Sequence, residues 1–390
     1  MKTAMTAGVL GSLLWTIACG GGDQTGERDR ATMGTPVVTL PAGSGSSAGA
    51  GGSSVGAAGR SSAVAGAIAT QPPPPPPAGA PAPIGVAGRP GTGAAGAPGM
   101  MTGVAGAPPP AAGAGAPPPA TGDRSPEGVC SRWKVDRADI SEGTWSGDVA
   151  SCNNGDISAN GRANALKLVN LYRWLADLPP VTSDPTMDKQ AQACALMQRA
   201  NNMLSHTPPS TWTCYNMEGA TAAGRCNIST GPGVASVDGY MVDPGNPTTI
   251  GHRRWILSNT FGPTGLGSTD KHSCMMTFGK MKVGKAWQAW PAPGSIPLQA
   301  MQGGFGQKVD STGWTVQSDT INLANAQVSV MADGMAMPVT VTQLGAGYGS
   351  KYALRFNPMG WSTTAGKTYS VSVTGGAMPI SYMVQIVDCK

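Results

Sequence analysis

The stretch "IGHRRWIL", Ile250–Leu257, contains one of only three histidines in the chain. Two arginines follow His252, and an apolar run ends the stretch. A short apolar run after charged residues is typical of a strand that enters a core, so we expect a strand anchored by Trp255 and its two successors. The imidazole could belong to a catalytic or metal-binding group, or it could pack against Trp255 at the strand edge. These eight residues alone leave both interpretations open.

Composition divides the chain into two unequal parts. Most of the 57 glycines and 34 prolines lie in the first third of the 390 residues. Residues 20–125 have too few apolar side chains to offset chain entropy, so we predict a disordered linker of low complexity. Charged residues make up only 12% of the chain, with a net charge of +5 and no basic run. We therefore expect no nucleic-acid partner.

The N-terminus indicates export. Lys2 precedes an apolar stretch too short to span a membrane. The sequence Ile17-Ala18-Cys19-Gly20 resembles a bacterial lipobox, although Thr16 stands where leucine is usual. We predict a lipoprotein signal peptide over 1–19 and a lipidated Cys19 that attaches the protein to a membrane of the cell envelope, as an outer-membrane, surface or periplasmic protein. An ordinary cleaved signal peptide is the alternative.

Seven further cysteines lie in the folded part, and an exported protein is expected to oxidise them to disulfides. The candidates are Cys130, Cys152, Cys194, Cys214, Cys274 and Cys389. Proximity in sequence suggests the pairs Cys130–Cys152 and Cys194–Cys214. Because seven is odd, one thiol is left over. Cys226 could pair with Cys274 or Cys389, could be simply buried, or could bind a ligand.

Periodicity predicts an α+β protein. Apolar residues at helical spacing precede Pro179, and a second helix is expected after Asp184 as N-cap and Pro185 as first residue, ending before His206. From about residue 291 the chain changes to alternating Val/Thr/Tyr-rich runs separated by glycine and proline. We therefore predict a β-sandwich of immunoglobulin-like size over 291–390, preceded by a different domain over 126–290.

The order of five motifs in 155–285 resembles the CAP superfamily, the cysteine-rich secretory, antigen 5 and pathogenesis-related 1 proteins. They are Asn170-Leu171-Tyr172-Arg173, Ser205-His206, Gly224-Arg225-Cys226-Asn227, Tyr240-Met241-Val242-Asp243 and Gly251-His252. The resemblance implies an α-β-α sandwich over 126–290 and an extracellular SCP-like domain. It also implies a cavity lined by His206 and His252, with Asp243 in place of a glutamate and with Cys226 and Asn227 at the turn between them.

One acid of the family's cavity is missing. Gly224-Arg225-Cys226-Asn227 stands where the family has Gly-Glu-Asn, so the glutamate is absent, and Glu218, six residues before Gly224, is a candidate substitute. Two imidazoles and a carboxylate could hold a divalent metal such as zinc, and Cys226 as thiolate would complete such a set. The same residues could instead be structural: His206 as a helix-end residue bonding a carbonyl, and His252 at a strand edge. His272 is expected in an exposed loop.

Three functions compete. The first is a membrane-tethered, non-catalytic protein that binds a small molecule, lipid, glycan or protein in or near the histidine-lined cavity. The second is a metal-dependent hydrolase using His206, His252 and Asp243. The third is a passive structural surface protein. The missing acid favours the first.

Overall fold

The computed structural model describes residues 122–303 and 306–390, together with the backbone of Ile17–Ala18. Cys19 and nearly all of the predicted linker lie outside the described residues. No described helix is long and apolar enough to cross a membrane. The lipid anchor and the linker therefore remain predictions.

Eight helices occur in the described part of the chain. They are α1 (Pro126–Asp136), α2 (Ala159–Leu175), α3 (Pro185–Asn201), α4 (Met217–Ala223), α5 (Gly233–Val242), α6 (Gly251–Ile256), α7 (Leu298–Gln302) and α8 (Val309–Thr312). As predicted, the Asp184 carboxylate caps α3 by accepting the N–H groups of Thr186 and Met187, both at 2.9 Å. The helix before Pro179 is confirmed as α2.

The first sheet has the order β1-β2-β4-β3. Its strands are β1 (Ile17–Ala18), β2 (Cys226–Ser229), β3 (Leu266–Ser268) and β4 (Ser273–Met276). All neighbours are antiparallel. Helices α3 and α4 cover one face, and α2 and α5 cover the other. Because side chains alternate along a strand, Cys226 and Asn227 belong to opposite faces.

Two further sheets form the C-terminal β-rich region, with orders β10-β11-β7-β5 and β6-β13-β12-β8-β9. Their strands are β5 (Gln288–Trp290), β6 (Gly294–Pro297), β7 (Trp314–Ser318), β8 (Gln327–Ala332), β9 (Met335–Ala336), β10 (Val339–Gln343), β11 (Tyr352–Pro358), β12 (Thr368–Thr374) and β13 (Ile380–Val387). The α+β fold class is confirmed. One buried core runs from Val129 through Trp290 to Val387, so packing is continuous across the expected boundary at 290.

Three disulfides are present among the described cysteines, and the predicted pairings were wrong. The bonds are Cys130–Cys389, Cys152–Cys214 and Cys194–Cys274. All are long-range, because each joins elements that only the fold brings together. The first ties α1 to the chain end, and the third ties α3 to β4. Cys226 is the free, buried thiol.

The strand expected over "HRRWIL" is instead the helix α6. Its first N–H groups are capped from a distance, because the Asp243 carboxylate accepts the backbone N–H of His252 at 2.9 Å. A capped N-terminus removes the main cost of so short a helix. Ile256 and Leu257 enter the core as expected. Trp255 is only half-buried and stacks on Phe278.

Two buried arginines of α6 join the helical layer to the C-terminal sheets. Arg253 donates to the carbonyls of Met241 and Val242 and, across the boundary, to Gly313 at 2.6 Å. Arg254 donates to the carbonyls of Gly345 and Ser350. Burial lowers the pKa of Arg253 to about 10, so the guanidinium stays protonated at neutral pH. A forked, charged donor satisfies several carbonyls at once.

We predict that Arg253→Met lowers the free energy of unfolding by about 3–5 kcal/mol, because it leaves buried carbonyls without donors. Urea unfolding measures the change. The control is Arg225→Met, since the exposed Arg225 should contribute within about 0.5 kcal/mol. Equal small effects of the two substitutions would contradict this role of Arg253.

Candidate functional site

Asp243 is the centre of the polar group formed by the C-terminus of α5 and the N-terminus of α6. It ends α5 in the left-handed conformation, with φ of 58°, which aspartate tolerates better than most residues. Its carboxylate accepts the Nδ1–H of His252 at 2.8 Å, the Asn246 amide at 2.7 Å and the His252 backbone N–H. Both carboxylate oxygens are therefore engaged within the protein.

His252 is fully buried and held on several sides. Its ring lies 4.9 Å from that of Tyr240, centroid to centroid. The Asn227 amide donates to the His252 carbonyl at 3.1 Å, and the Tyr240 hydroxyl donates to the Asn227 carbonyl. Because Nδ1 donates to Asp243, a neutral His252 carries its lone pair on Nε2. Asp243 thus sets the orientation and tautomer of the imidazole.

His206 lies where α3 has ended, beside the last turn of α4. Its Nδ1 is 2.7 Å from the Ala223 carbonyl, which can only accept, so Nδ1 carries the proton and Nε2 the lone pair. The buried Gln198 of α3 fixes this turn by bonding both the N–H and the C=O of Ser205 at 2.8 Å. This hydrogen bond to the Ala223 carbonyl corresponds to the structural alternative that the sequence suggested for His206.

The sequence lacks the fourth acid of the family's cavity, and Glu218 was the candidate substitute for it. Arg225 is exposed between α4 and β2, and Glu218 is exposed on α4. Neither contacts the Asp243–His252 pair in any hydrogen bond of the described residues. Cys226 cannot serve as a substitute ligand either, because its side chain is on the α3 face of β2, opposite Asn227. The structure thus separates Cys226 from the pair that it was expected to join.

A groove of about 370 Å³ lies on this α4 surface. Met217 and the buried Met276 give it apolar walls, and Glu218 and Arg225 give it one acid and one base. Ala222, which precedes the carbonyl partner of His206, also lines it. The volume is within the range of small-molecule sites. The arrangement suits a ligand with both an apolar part and charged or polar groups.

Sequence reasoning missed Asn246 and Gln198. Asn246 follows Asp243 by three residues, a spacing at which Asn and Asp commonly bond each other in a turn, and Pro244-Gly245 marks that turn. Gln198 had no readable signal, since a glutamine on an amphipathic helix is usually exposed. The Asn170 and Arg173 motif is structural. The Asn170 side chain donates to the Val181 carbonyl and accepts the Val181 N–H. The buried Arg173 donates to the carbonyls of Ile256 and Ser258.

His272, expected in an exposed loop, is buried. The tight turn from Thr269 folds its ring inward, and both ring nitrogens lack a hydrogen-bond partner among the described residues. Burial is the main reason why the pKa of His272 falls to about 4, with the positive charge of Arg199 as a further cause. It is therefore a neutral core residue at physiological pH.

We predict that Asp243→Asn lowers the free energy of unfolding by about 2–3 kcal/mol. Asparagine keeps the size and tolerates the positive φ, but its NH₂ group must meet one of the donors that the carboxylate now accepts. Denaturant unfolding tests this, with Asp333→Asn, at an exposed ion pair, as the control. Unchanged stability in the first variant would show that the carboxylate does not cap α6.

We also predict a contribution of His272 to acid sensitivity. The pKa of His272 in the folded protein lies below its ordinary value, so the unfolded chain takes up the proton first as pH falls. The free energy of unfolding is therefore unaffected by His272 above pH 6.5 and decreases as pH falls from 6.5 toward 4. The full effect is about 3 kcal/mol. In His272→Leu, the decline of unfolding free energy between pH 6.5 and 5 should be shallower than in the wild type. His206→Gln, which leaves His272 in place, should retain the steeper decline.

Comparison with known proteins finds a family match in the central part of this chain. Residues 166–274 match the family described as CAP, the cysteine-rich secretory protein family. This range contains α3 to α6, β2, β3 and the start of β4, together with His206, Asp243 and His252. No curated protein and no solved structure matched the chain significantly. Residues 166–274 are therefore similar to the CAP family, and the C-terminal β-rich region packs into the same core.

Proposed function

We propose that this protein is a membrane-tethered, non-catalytic CAP-domain protein of the cell envelope. It binds a small molecule, a lipid, a glycan or a protein at the surface beside His206. The CAP domain and three disulfides fit an exported, ligand-binding protein. The lipobox-like Cys19 would provide the tether through its acyl chains.

One observation carries the non-catalytic part of this proposal: both oxygens of the Asp243 carboxylate are used to hold His252, Asn246 and the start of α6. A hydrolytic site needs a group that takes a proton from water, within hydrogen-bond reach of it. Asp243 is engaged by these donors, and the family's other acid is missing from the Gly224–Asn227 turn. The two charged groups of the groove, Glu218 and Arg225, suit recognition of a ligand with charged or polar groups.

The alternative, a metal-dependent hydrolase, has one observation in its favour. Both His206 and His252 donate from Nδ1 and so carry their lone pairs on Nε2, the arrangement common in metal-ligating histidines. Catalytic zinc, however, takes three protein ligands. With Asp243 engaged by three donors and Cys226 on the other face, two imidazoles are an incomplete set, so the residues fit a zinc ion poorly.

Ligand binding is tested with the purified protein, using anionic and zwitterionic phospholipid vesicles, soluble peptidoglycan fragments and envelope extract as probes. We expect one class to bind, and Arg225→Ala to weaken that binding about tenfold or more, because a charge-assisted hydrogen bond contributes about 1.5–3 kcal/mol. Lys367→Ala, on the distant C-terminal region, should have no effect. Failure of every probe to bind above background would overturn the proposal.

The hydrolase alternative is tested by metal analysis and by a double substitution. We expect less than one equivalent of zinc per chain, and any hydrolysis of ester or peptide substrates to be unchanged in His206→Ala with His252→Ala. Stoichiometric zinc that disappears in this variant, together with a lost activity, would establish the alternative instead. Circular dichroism of the variant confirms that it remains folded, since His252 is buried.

A further inference from the structure

A free thiol lies against a disulfide on the α3 face of the first sheet. The sulfur atoms of Cys194, Cys226 and Cys274 all lie within 4.8 Å of one another. Cys194 and Cys274 are bonded, and Cys226 is not. All three are buried, in a small apolar cluster that also contains Met276 and several alanines of α3 and α4. The Asp243–His252 pair lies on the other side of β2 and does not use these sulfurs.

The sheet register fixes which sulfurs can bond. Cys226 pairs with Met276, and Ile228 pairs with Cys274, so Cys226 and Cys274 are diagonal neighbours on one face. Diagonal Cα atoms in an antiparallel pair are about 7–8 Å apart, which exceeds the reach of a disulfide without backbone movement. The register of β2 and β4 places no such restriction on Cys194, because Cys194 belongs to α3, which covers this face of the sheet. Its Cα is 6.1 Å from that of Cys274.

We propose that Cys194, Cys226 and Cys274 form an internal thiol–disulfide exchange site, in which the single disulfide of α3 alternates between β4 and β2. Cys226 loses its proton, and its sulfur attacks the Cys194 sulfur. The Cys194–Cys226 bond forms as the Cys194–Cys274 bond breaks. Cys274 leaves as a thiolate and takes up a proton. The number of disulfides and thiols is unchanged, so no oxidant or reductant is consumed.

Burial controls the rate of this exchange. The apolar surroundings raise the pKa of the Cys226 thiol well above its ordinary value, so the thiolate that attacks is scarce in the closed structure. Attack therefore requires a local opening of the α3–sheet contact. Once open, the thiol titrates near its ordinary pKa, and the exchange accelerates as pH rises.

The exchange would act on the site described above, a consequence that rests on the proposed function. Cys194 lies one helical turn before Gln198, which fixes Ser205 beside His206. Cys226 immediately precedes Asn227, which bonds His252. Moving the cross-link from β4 to β2 ties α3, whose Gln198 holds the turn beside His206, directly to the strand that supports His252. Ligand affinity should then differ between the two isomers.

The exchange is tested on the full chain carrying Cys19→Ser, which removes the one cysteine that lies outside the described residues. The protein is held at pH 7, 8 or 9 in low urea, quenched with acid, alkylated without reduction and mapped by mass spectrometry. We expect a fraction with Cys274 alkylated and Cys194 linked to Cys226, forming roughly tenfold faster at pH 8 than at pH 7. Alkylation of Cys226 alone under all conditions would overturn the proposal.

Two single substitutions provide a matched pair. In Cys274→Ser the Cys194–Cys226 bond should form in the folded protein, whereas in Cys194→Ser the Cys226 and Cys274 thiols should both remain alkylatable. The opposite pattern would contradict the assignment, and wild-type mapping decides the question if a variant does not fold. Because the readout is the mass of linked peptides, it is independent of ligand binding. A failed exchange is thus distinguishable from a failed proposed function.

Discussion

The Asp243 carboxylate is the constraint on which the centre of this protein depends. Positioned by the left-handed turn at the end of α5, it caps α6 through the His252 N–H and bonds the His252 ring at the same time. A six-residue helix has little stability of its own, because its first N–H groups have no internal partner. One buried carboxylate therefore decides both the shape of "IGHRRWIL" and the orientation of its imidazole.

That helix then determines how the two halves of the fold meet. Arg253 and Arg254 follow the capped histidine and extend to carbonyls of the C-terminal sheets, while Arg173 of α2 bonds the carbonyl of Ile256 at the helix end. Each guanidinium satisfies several backbone acceptors that would otherwise be buried without donors. The arginines explain why the core is continuous from the CAP-like region into the β-rich region.

The first sheet separates two kinds of chemistry. Asn227 and Tyr240, with the Asp243–His252 pair, lie on the α5 side, and the three sulfurs lie on the α3 side. Neighbouring residues of β2 thus serve different groups, which is why Cys226 does not complete a metal site with the histidines. On the α5 side both oxygens of the Asp243 carboxylate are engaged in holding the structure.

The sequence by itself determined the α+β class, the helices α2 and α3 with the α3 N-cap at Asp184, and the β-rich C-terminal region. It also placed Asp243 and His252 in one CAP-like pattern. These signals are local, since periodicity, capping residues and motif order lie within short windows. Only the tertiary structure decided the disulfide pairs, the helix at Gly251–Ile256 and the burial of His272. Each of these depends on a partner that is distant in sequence: Cys389 for Cys130, Asp243 for the N–H of His252, and the packing of the turn for His272. A stretch of eight residues cannot encode a cap that comes from another helix, so its conformation was decided by the fold around it.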